Sequence, residues 1–310
     1  MCILLATSAH PNYPLILISN RDEFFERATS STHWHGDDDH ILSPVDMALN
    51  SKLVASQGTW CGVNKSGLIA VILNLKTNPN TSSGVDKSPF SRGSIPIELL
   101  RRKTINFDEW DDYEKFAQKF TPLKDTGPFN LFYGDCRSQD YRLIDSLGQT
   151  FLPLTPEDRY MVVSNDVYNS TKKWVKIDTA EALLHELVET SQNDDLETLI
   201  DKCLVLGSSC VEKQGGGLLS SVKLGSKEQI LSENVFIPPI LVPGNNDLGA
   251  SLPCGRFYGT RSQIVIVMDK NRQLTLVERV LHDCDKDASQ FCPTNPRKVL
   301  EFNFNLNDMA

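Results

Sequence analysis

The chain has 310 residues, 40% apolar and 23% charged, which supplies enough apolar surface for a core, excludes disorder as the default state and predicts one large domain or two small ones. Its 31 basic residues against 40 acidic ones leave a net charge of -9, which repels a phosphate backbone and argues against a nucleic-acid partner. The eight cysteines include no CxxC pair, so a reducing compartment fits better than a disulfide framework or a zinc site.

The apolar run Cys2 to Ser8 lacks a basic segment before it and is interrupted by His10, Pro11, Asn12 and Pro14. It reads as a strand, Cys2 to Ala6, and not as a secretion signal, which leaves a cytoplasmic address. A second strand, Leu15 to Ser19, completes an opening hairpin. Thr59 to Val63 and Leu68 to Asn74 form another, turning at Asn64-Lys65-Ser66-Gly67, and the apolar Leu68 to Leu75 predicts burial on both faces. Asn78 to Lys87 reads as a loop, followed by helices over Ile95 to Arg102 and Asp108 to Phe120. Asn130 to Asp135, Tyr141 to Asp145 and Tyr160 to Ser164 return to strand character.

Between Thr171 and Leu206, Trp174, Ile177, Leu184, Leu187 and Val188, then Leu196, Leu199, Ile200 and Leu204, recur at helical spacing and predict a helical layer over a sheet. Lys213 to Asn246 carries three consecutive glycines and Pro238-Pro239, which reads as a long irregular surface excursion or lid. Tyr258 to Met268, Gln273 to Val280 and Lys298 to Phe304 finish the chain as strands. No linker or repeat divides residues 1–310, and no apolar run reaches the roughly 18 residues of a membrane-spanning helix. The order of elements predicts a single layered α+β domain.

Initiator methionine is removed before a small residue, so Cys2 is expected to lead the mature chain. It would then carry both a thiol and a free α-amine of pKa about 7.7 to 8.0, a nucleophile and its base in one residue. The amine's positive charge is expected to hold the thiol below the roughly 8.5 of a free cysteine. The alternative is a small buried hydrophobe or a surface thiol. Asn20-Arg21-Asp22-Glu23 ends the second strand, which antiparallel pairing returns toward Cys2. A carboxylate and a guanidinium there would orient the amine and hold the thiolate; the alternative is a solvated, salt-bridged turn.

Met-Cys before an apolar strand and Asn-Arg-Asp-Glu, with Gly58-Thr59-Trp60-Cys61-Gly62, Ser91-Arg92-Gly93, Phe129-Asn130-Leu131, Ser164-Asn165 and Tyr258-Gly259-Thr260-Arg261 in order, resembles the NRDE family, also called the transport and Golgi organisation family. That family is in turn similar to N-terminal-nucleophile amidohydrolases of the choloylglycine hydrolase, penicillin V acylase and acid ceramidase type. The resemblance implies a four-layer αββα sandwich, with Cys2 as nucleophile, Asp22 holding its amine, Asn74 and Asn165 near the oxyanion and amine, and Arg261 as a late arginine. Asn20, Arg21 and Glu23 join it as a substrate-binding or structural polar group. Those hydrolases carry Arg-Asn-x-Asp after this strand, whereas Arg21 here directly precedes Asp22 and falls on the opposite face of the chain.

His33-Trp34-His35-Gly36-Asp37-Asp38-Asp39-His40 offers three imidazoles and three carboxylates, but as a polar loop without a distant ligand cluster it is read as no metal site. Cys292-Pro293 is a weak haem-ligand signal in a family connected with haem trafficking. His185, Trp60 and Trp174 read as packing residues. The first functional expectation is a cysteine amidohydrolase or acyl-transfer enzyme acting on a small amide or acyl substrate, with no required cofactor. The second is a non-enzymatic carrier of haem or an acyl lipid, supporting Golgi organisation, protein secretion and lipid homeostasis; association with the Golgi or mitochondria is implied by the resemblance alone.

Overall fold

The computed structural model describes residues 2–47, 58–76, 91–107, 113–119, 126–210, 224–242, 256–286 and 295–308. Its strands are β1 (Ile3–Thr7), β2 (Leu15–Phe24), β3 (Thr29–Trp34), β4 (Ile41–Asp46), β5 (Cys61–Asn64), β6 (Leu68–Asn74), β7 (Phe129–Asp135), β8 (Asp140–Asp145), β9 (Thr150–Phe151), β10 (Tyr160–Val163), β11 (Ile240–Leu241), β12 (Phe257–Met268), β13 (Gln273–Val280) and β14 (Lys298–Asn305). The helices are α1 (Ser94–Leu100), α2 (Tyr113–Lys119), α3 (Val175–Thr190), α4 (Leu196–Gly207) and α5 (Leu224–Glu233).

Two seven-stranded sheets result. The first runs β10-β1-β2-β12-β13-β14, with β11 added to β12; the second runs from β3 to β9 in chain order. Strand alternation assigns each side chain to a layer. Leu4, Ala6, Leu15 and Leu17 meet Val71, Leu73 and Phe132 of the second sheet, while Ile3, Leu5, Ile16 and Ile18 meet Ala180, Leu184, Leu199 and Cys203 of α3 and α4. On the other side, Leu68, Ala70 and Ile72 meet Ile95, Leu99 and Phe116 of α1 and α2. The architecture is therefore a four-layer αββα sandwich, and the doubly covered strands explain the unbroken apolar runs at β2 and β6. Gly67 closes the β5–β6 turn at φ 90, the positive backbone angle expected of that turn.

Three sequence expectations change. The stretch Asn20 to Glu23 does not end β2 but continues it to Phe24, paired with β12 over its whole length. The His33 to His40 stretch is not simply a loop: β3 and β4, which the pattern Thr-Ser-Ser-Thr did not announce, begin the second sheet, and only residues 35–40 connect them. Within 213–246, the described part is α5, β11 and a buried link; Phe236, Ile237, Ile240 and Val242 are internal, because β11 covers the edge of β12 opposite Phe24. Residues 211–223 and 243–255 lie outside the described set, as do the expected loop Asn78 to Lys87, most of the flanks of α2 and Cys292. No described helix is long and apolar enough to cross a membrane.

Candidate active site around Cys2 and Asp22

Cys2 immediately precedes β1 and packs, half-buried, against the apolar layer between the sheets. Its Sγ lies 4.0 Å from the Asp22 carbonyl oxygen, and its own carbonyl accepts a 2.6 Å hydrogen bond from Ser164 Oγ, just beyond β10. Pairing of β1 with both β2 and β10 in antiparallel register is what brings these two segments to either side of Cys2. The thiol thus meets the Asp22 main chain, not its carboxylate.

Asp22 shares the helix-facing side of β2 with Ile16, Ile18 and Asn20, whereas Arg21 faces the second sheet. Its Oδ1 accepts a 2.7 Å bond from Thr260 Oγ1, which in turn accepts the amide of Ile237 at 2.8 Å. A register shift between Thr260 and Ser262 makes Arg261 the extra residue of a bulge opposite the Arg21-Asp22 step. Burial pushes the Asp22 carboxyl above its ordinary range, against the opposing pull of the amino-terminal charge, the Lys176 ammonium and the Thr260 bond. Burial likewise pushes the Cys2 thiol up, and this outweighs the amino terminus and Arg21. This direction belongs to the chain that retains Met1, in which desolvation costs the thiolate more than the nearby positive charge returns; the expected low thiol pKa concerns the chain that begins at Cys2.

Arg21 is buried with its guanidinium 4.3 Å from the Trp60 ring centre and 3.1 Å from Asp46 Oδ2. Trp60 is held there by a close backbone crossing: Thr59 N donates to Gly93 O at 3.0 Å, and a Cβ on Gly58 would stand 2.9 Å from Gly93 Cα. Only glycine fits that crossing. Glu23 is half-buried, 3.7 Å from Arg27 Nε, which also pairs with Asp46. Although Arg21 and Asp22 diverge, Arg21 shares the thiol's side of the sheet, and its charge acts on Cys2.

The remaining candidates divide. Asn165 is buried; its Nδ2 donates to the Asn74 carbonyl at 2.5 Å, and its carbonyl accepts from Lys76 N at 2.7 Å, so it ties the end of β6 to the segment after β10. Asn74 contributes that carbonyl, while its side chain is exposed and follows the outward alternation of Ala70 and Ile72. Asn20 is a cross-layer clamp: its Nδ2 donates to the carbonyls of Gly207 and Val235 at 2.8 and 3.0 Å. Arg261 is fully buried and binds backbone, donating to the carbonyls of Phe24, Arg27 and His282 and to Thr29 Oγ1. It fastens the end of β2 to the start of β3 and does not join the Cys2 cluster.

Sequence reasoning missed four participants. Ser164 and Thr260 lay inside matched motifs but carried no charge to single them out. Glu278 accepts the Thr32 amide at 2.6 Å on the inter-sheet side and feels the charge of Arg21. Lys176, on the first turn of α3, is wholly buried and coupled to both Asp22 and Cys2. Its polar identity inside an apolar helical stripe was the available signal. His185 is exposed and stacks on Tyr160 at 3.6 Å, and no described group of histidines, cysteines and carboxylates is arranged to hold a metal ion.

The family model for Transport and Golgi organisation 2 matches residues 1–283. An uncharacterised protein of Saccharomyces cerevisiae is 41% identical over 99% of this chain and 100% of its own length. The Transport and Golgi organization protein 2 homolog of Homo sapiens is 26% identical over 90% of each chain. Among solved structures, penicillin V acylase from Agrobacterium tumefaciens aligns with a TM-score of 0.44 and 13% identity, covering 90% of this chain and 83% of that one. A conjugated bile acid hydrolase variant from Clostridium perfringens aligns with a TM-score of 0.40 and 9% identity, covering 98% and 97%.

Proposed function

The chain belongs to the Transport and Golgi organisation 2 family, and from the surroundings of Cys2 we propose that it is an N-terminal-nucleophile-type cysteine amidohydrolase or acyl-transfer enzyme acting on a small amide or acyl substrate. The observation that carries this reading is the fixing of Cys2 from two sides, its carbonyl by Ser164 at 2.6 Å and its thiol over the Asp22 carbonyl at 4.0 Å.

With Met1 removed, the Cys2 α-amine takes the thiol proton as sulfur attacks the substrate carbonyl carbon. A C–S bond forms, and the carbonyl oxygen becomes an oxyanion. Collapse breaks the C–N bond, and the departing amine takes the proton back from the α-ammonium, leaving an acyl thioester. Water, or another nucleophile in acyl transfer, then releases the acyl group with the same amine as base, and the thiol is restored. Asp22 orients the amine, and Arg21 supplies positive charge on the thiol side. Asn165 spends one amide hydrogen on Asn74 and keeps the other for a substrate oxygen.

Exposure of protein beginning at Cys2 to p-nitrophenyl butyrate tests this. A stoichiometric burst of nitrophenolate and one butyryl group mapped to Cys2 are expected, both lost in Cys2→Ala and in protein with a blocked terminus. Equal acylation of Cys2→Ala, or none in the unmodified protein, rejects the reading.

A second reading, a carrier of haem or an acyl lipid, is favoured by a different place. An open depression of about 460 Å³ lies at the far end of β1, lined by Arg137, Arg159, Lys270 and Arg272 with Asp269 among them. Its volume and cationic wall fit a small ligand with carboxylate groups. Hemin titration showing a saturable Soret shift, weakened by Arg159→Glu with Arg272→Glu, would support the carrier; no saturable shift would remove it.

A further inference from the structure

An ammonium taken wholly out of water is retained where its charge is used, because desolvation alone would favour an apolar side chain of the same length. Lys176 is such a group, with no exposed surface. Its Nζ makes no hydrogen bond to any described residue and stands 5.1 Å from the centre of the Trp174 ring, whose electron-rich face offsets part of the cost.

The layers explain where that charge is directed. Lys176 belongs to the helical layer on the outer face of the first sheet, and Asp22 is the β2 residue that turns its carboxylate toward that layer. The thiol of Cys2 lies on the other face, against the Asp22 main chain. We infer that Lys176 is the buried counter-charge of the Cys2–Asp22 pair, a positioning residue that acts on the nucleophile through Asp22. This rests on the reading of Cys2 as the reactive residue.

The surrounding groups leave the lysine few other roles. Asp22 and Cys2 are the groups that raise its proton affinity, while burial pulls it down to about 8. The elements packed on α3 are β1, with Ile3 and Leu5, β10, with Val162 and with Tyr160 stacked on His185, α4, with Leu199 and the buried Cys203 thiol, and α5, which carries the half-buried Glu233. Lys173, nearby on the chain, is exposed and pairs with Glu181 at 3.5 Å. Glu23 and Thr260 act on Asp22 from its own sheet, and Arg21 acts on Cys2 from the inter-sheet side.

A cation next to Asp22 keeps the carboxylate ionised and depresses the proton affinity of the Cys2 α-amine by like-charge repulsion. The amine is then neutral, and able to accept the thiol proton, at a lower pH than it would otherwise be. Lys176 thereby tunes the pair without contacting the substrate.

The test compares iodoacetamide alkylation of Cys2 between pH 6 and pH 10 in the full chain, in Lys176→Met, in Lys176→Arg, and in both Asp22→Asn and its double variant with Lys176→Met. Lys176→Met is expected to raise the midpoint by about one pH unit and slow alkylation at pH 7.5 about tenfold, with thermal stability lowered because Asp22 is left buried without its counter-charge. Lys176→Arg should restore the midpoint, and the double variant should behave like Asp22→Asn alone. Lys176→Gln gives the same comparison if the methionine variant does not unfold cooperatively. A profile unchanged by loss of the charge, or an arginine variant as impaired as the methionine one, overturns the inference. Those outcomes are separable from failure of the enzyme reading, which is decided by butyrylation of Cys2 and not by the position of its pH profile.

Discussion

Thr260 reaches Asp22, with Oγ1 donating to Oδ1 at 2.7 Å, because the bulge at Arg261 puts Thr260 directly across from Asp22. One extra residue in β12 therefore serves two purposes. It delivers a hydroxyl to the carboxylate on the helix side and sends the Arg261 guanidinium into the backbone where β2 turns toward β3.

Thr260→Val preserves shape while removing the hydroxyl from both Asp22 and the Ile237 amide. Leaving two buried groups short of a partner should cost about 1 to 3 kcal/mol, read as a lower urea midpoint at unchanged slope. The Asp22 carboxyl should also rise further, since the lost bond favoured its charged form. An unchanged midpoint would mean that the hydroxyl is not a structural partner of the carboxylate.

Arg261→Leu tests the assignment of that arginine to the framework. It removes the charged donor that binds the carbonyls of Phe24, Arg27 and His282 in a buried position, so a loss of about 3 to 5 kcal/mol is expected. Butyrylation of Cys2, normalised to the folded fraction, should change little. A variant that keeps its stability but loses butyrylation would return Arg261 to the reactive site.

Lys176 should also shape stability against pH. Its folded pKa of about 8 lies below the ordinary 10.5, so between those values the unfolded chain binds the additional proton. Stability from this group must then rise as pH climbs through that window, by up to about 3 kcal/mol, while below it the full burial cost is present. Urea unfolding at pH 7.5 and pH 10 measures it. Subtracting the same difference for Lys176→Met removes the other titrating side chains, and a zero remainder would show that the lysine is not desolvated.

The pattern of side chains exposed the frame more readily than the chemistry. Leu15 to Ile18 and Leu68 to Leu73 announce themselves because both faces of those strands are covered. β3 does not, since Ser30, Ser31 and His33 are only half-buried and lack the apolar alternation that marks a strand. Cys2 and Asp22 were legible through their order in the chain, and the hairpin brought them together. Lys176 carries only the faint signal of sharing a helical stripe with Ala180 and Leu184, because a lysine at the start of an amphipathic helix otherwise looks like an exposed first-turn residue until the layers are assembled. Arg261 looked functional for the opposite reason: a buried arginine that binds only carbonyls and a hydroxyl has no local sequence mark distinguishing it from one that binds substrate.

Ser164→Ala separates the enzyme from the carrier most economically. The hydroxyl donates to the Cys2 carbonyl at 2.6 Å and sits on the segment that Asn130 Nδ2 clasps through the carbonyls of Ser164 and Asp166, at 3.0 and 2.9 Å. That clasp survives the substitution, so the segment should stay in place and the loss of stability should be about 1 kcal/mol. What disappears is the restraint on the residue that bears both the thiol and the α-amine. A reacting group released from its near-attack position loses rate far out of proportion to the lost hydrogen bond, so single-turnover butyrylation of Cys2 should slow by about 10- to 100-fold. Ser164→Thr, which keeps a hydroxyl on the same carbon, should recover much of that rate. Hemin binding at the far end of β1 should be untouched by either change. Should Ser164→Ala butyrylate Cys2 at the unaltered rate, the two-sided fixing of Cys2 would have no bearing on its reactivity, and the acyl-transfer reading would lose the observation on which it stands.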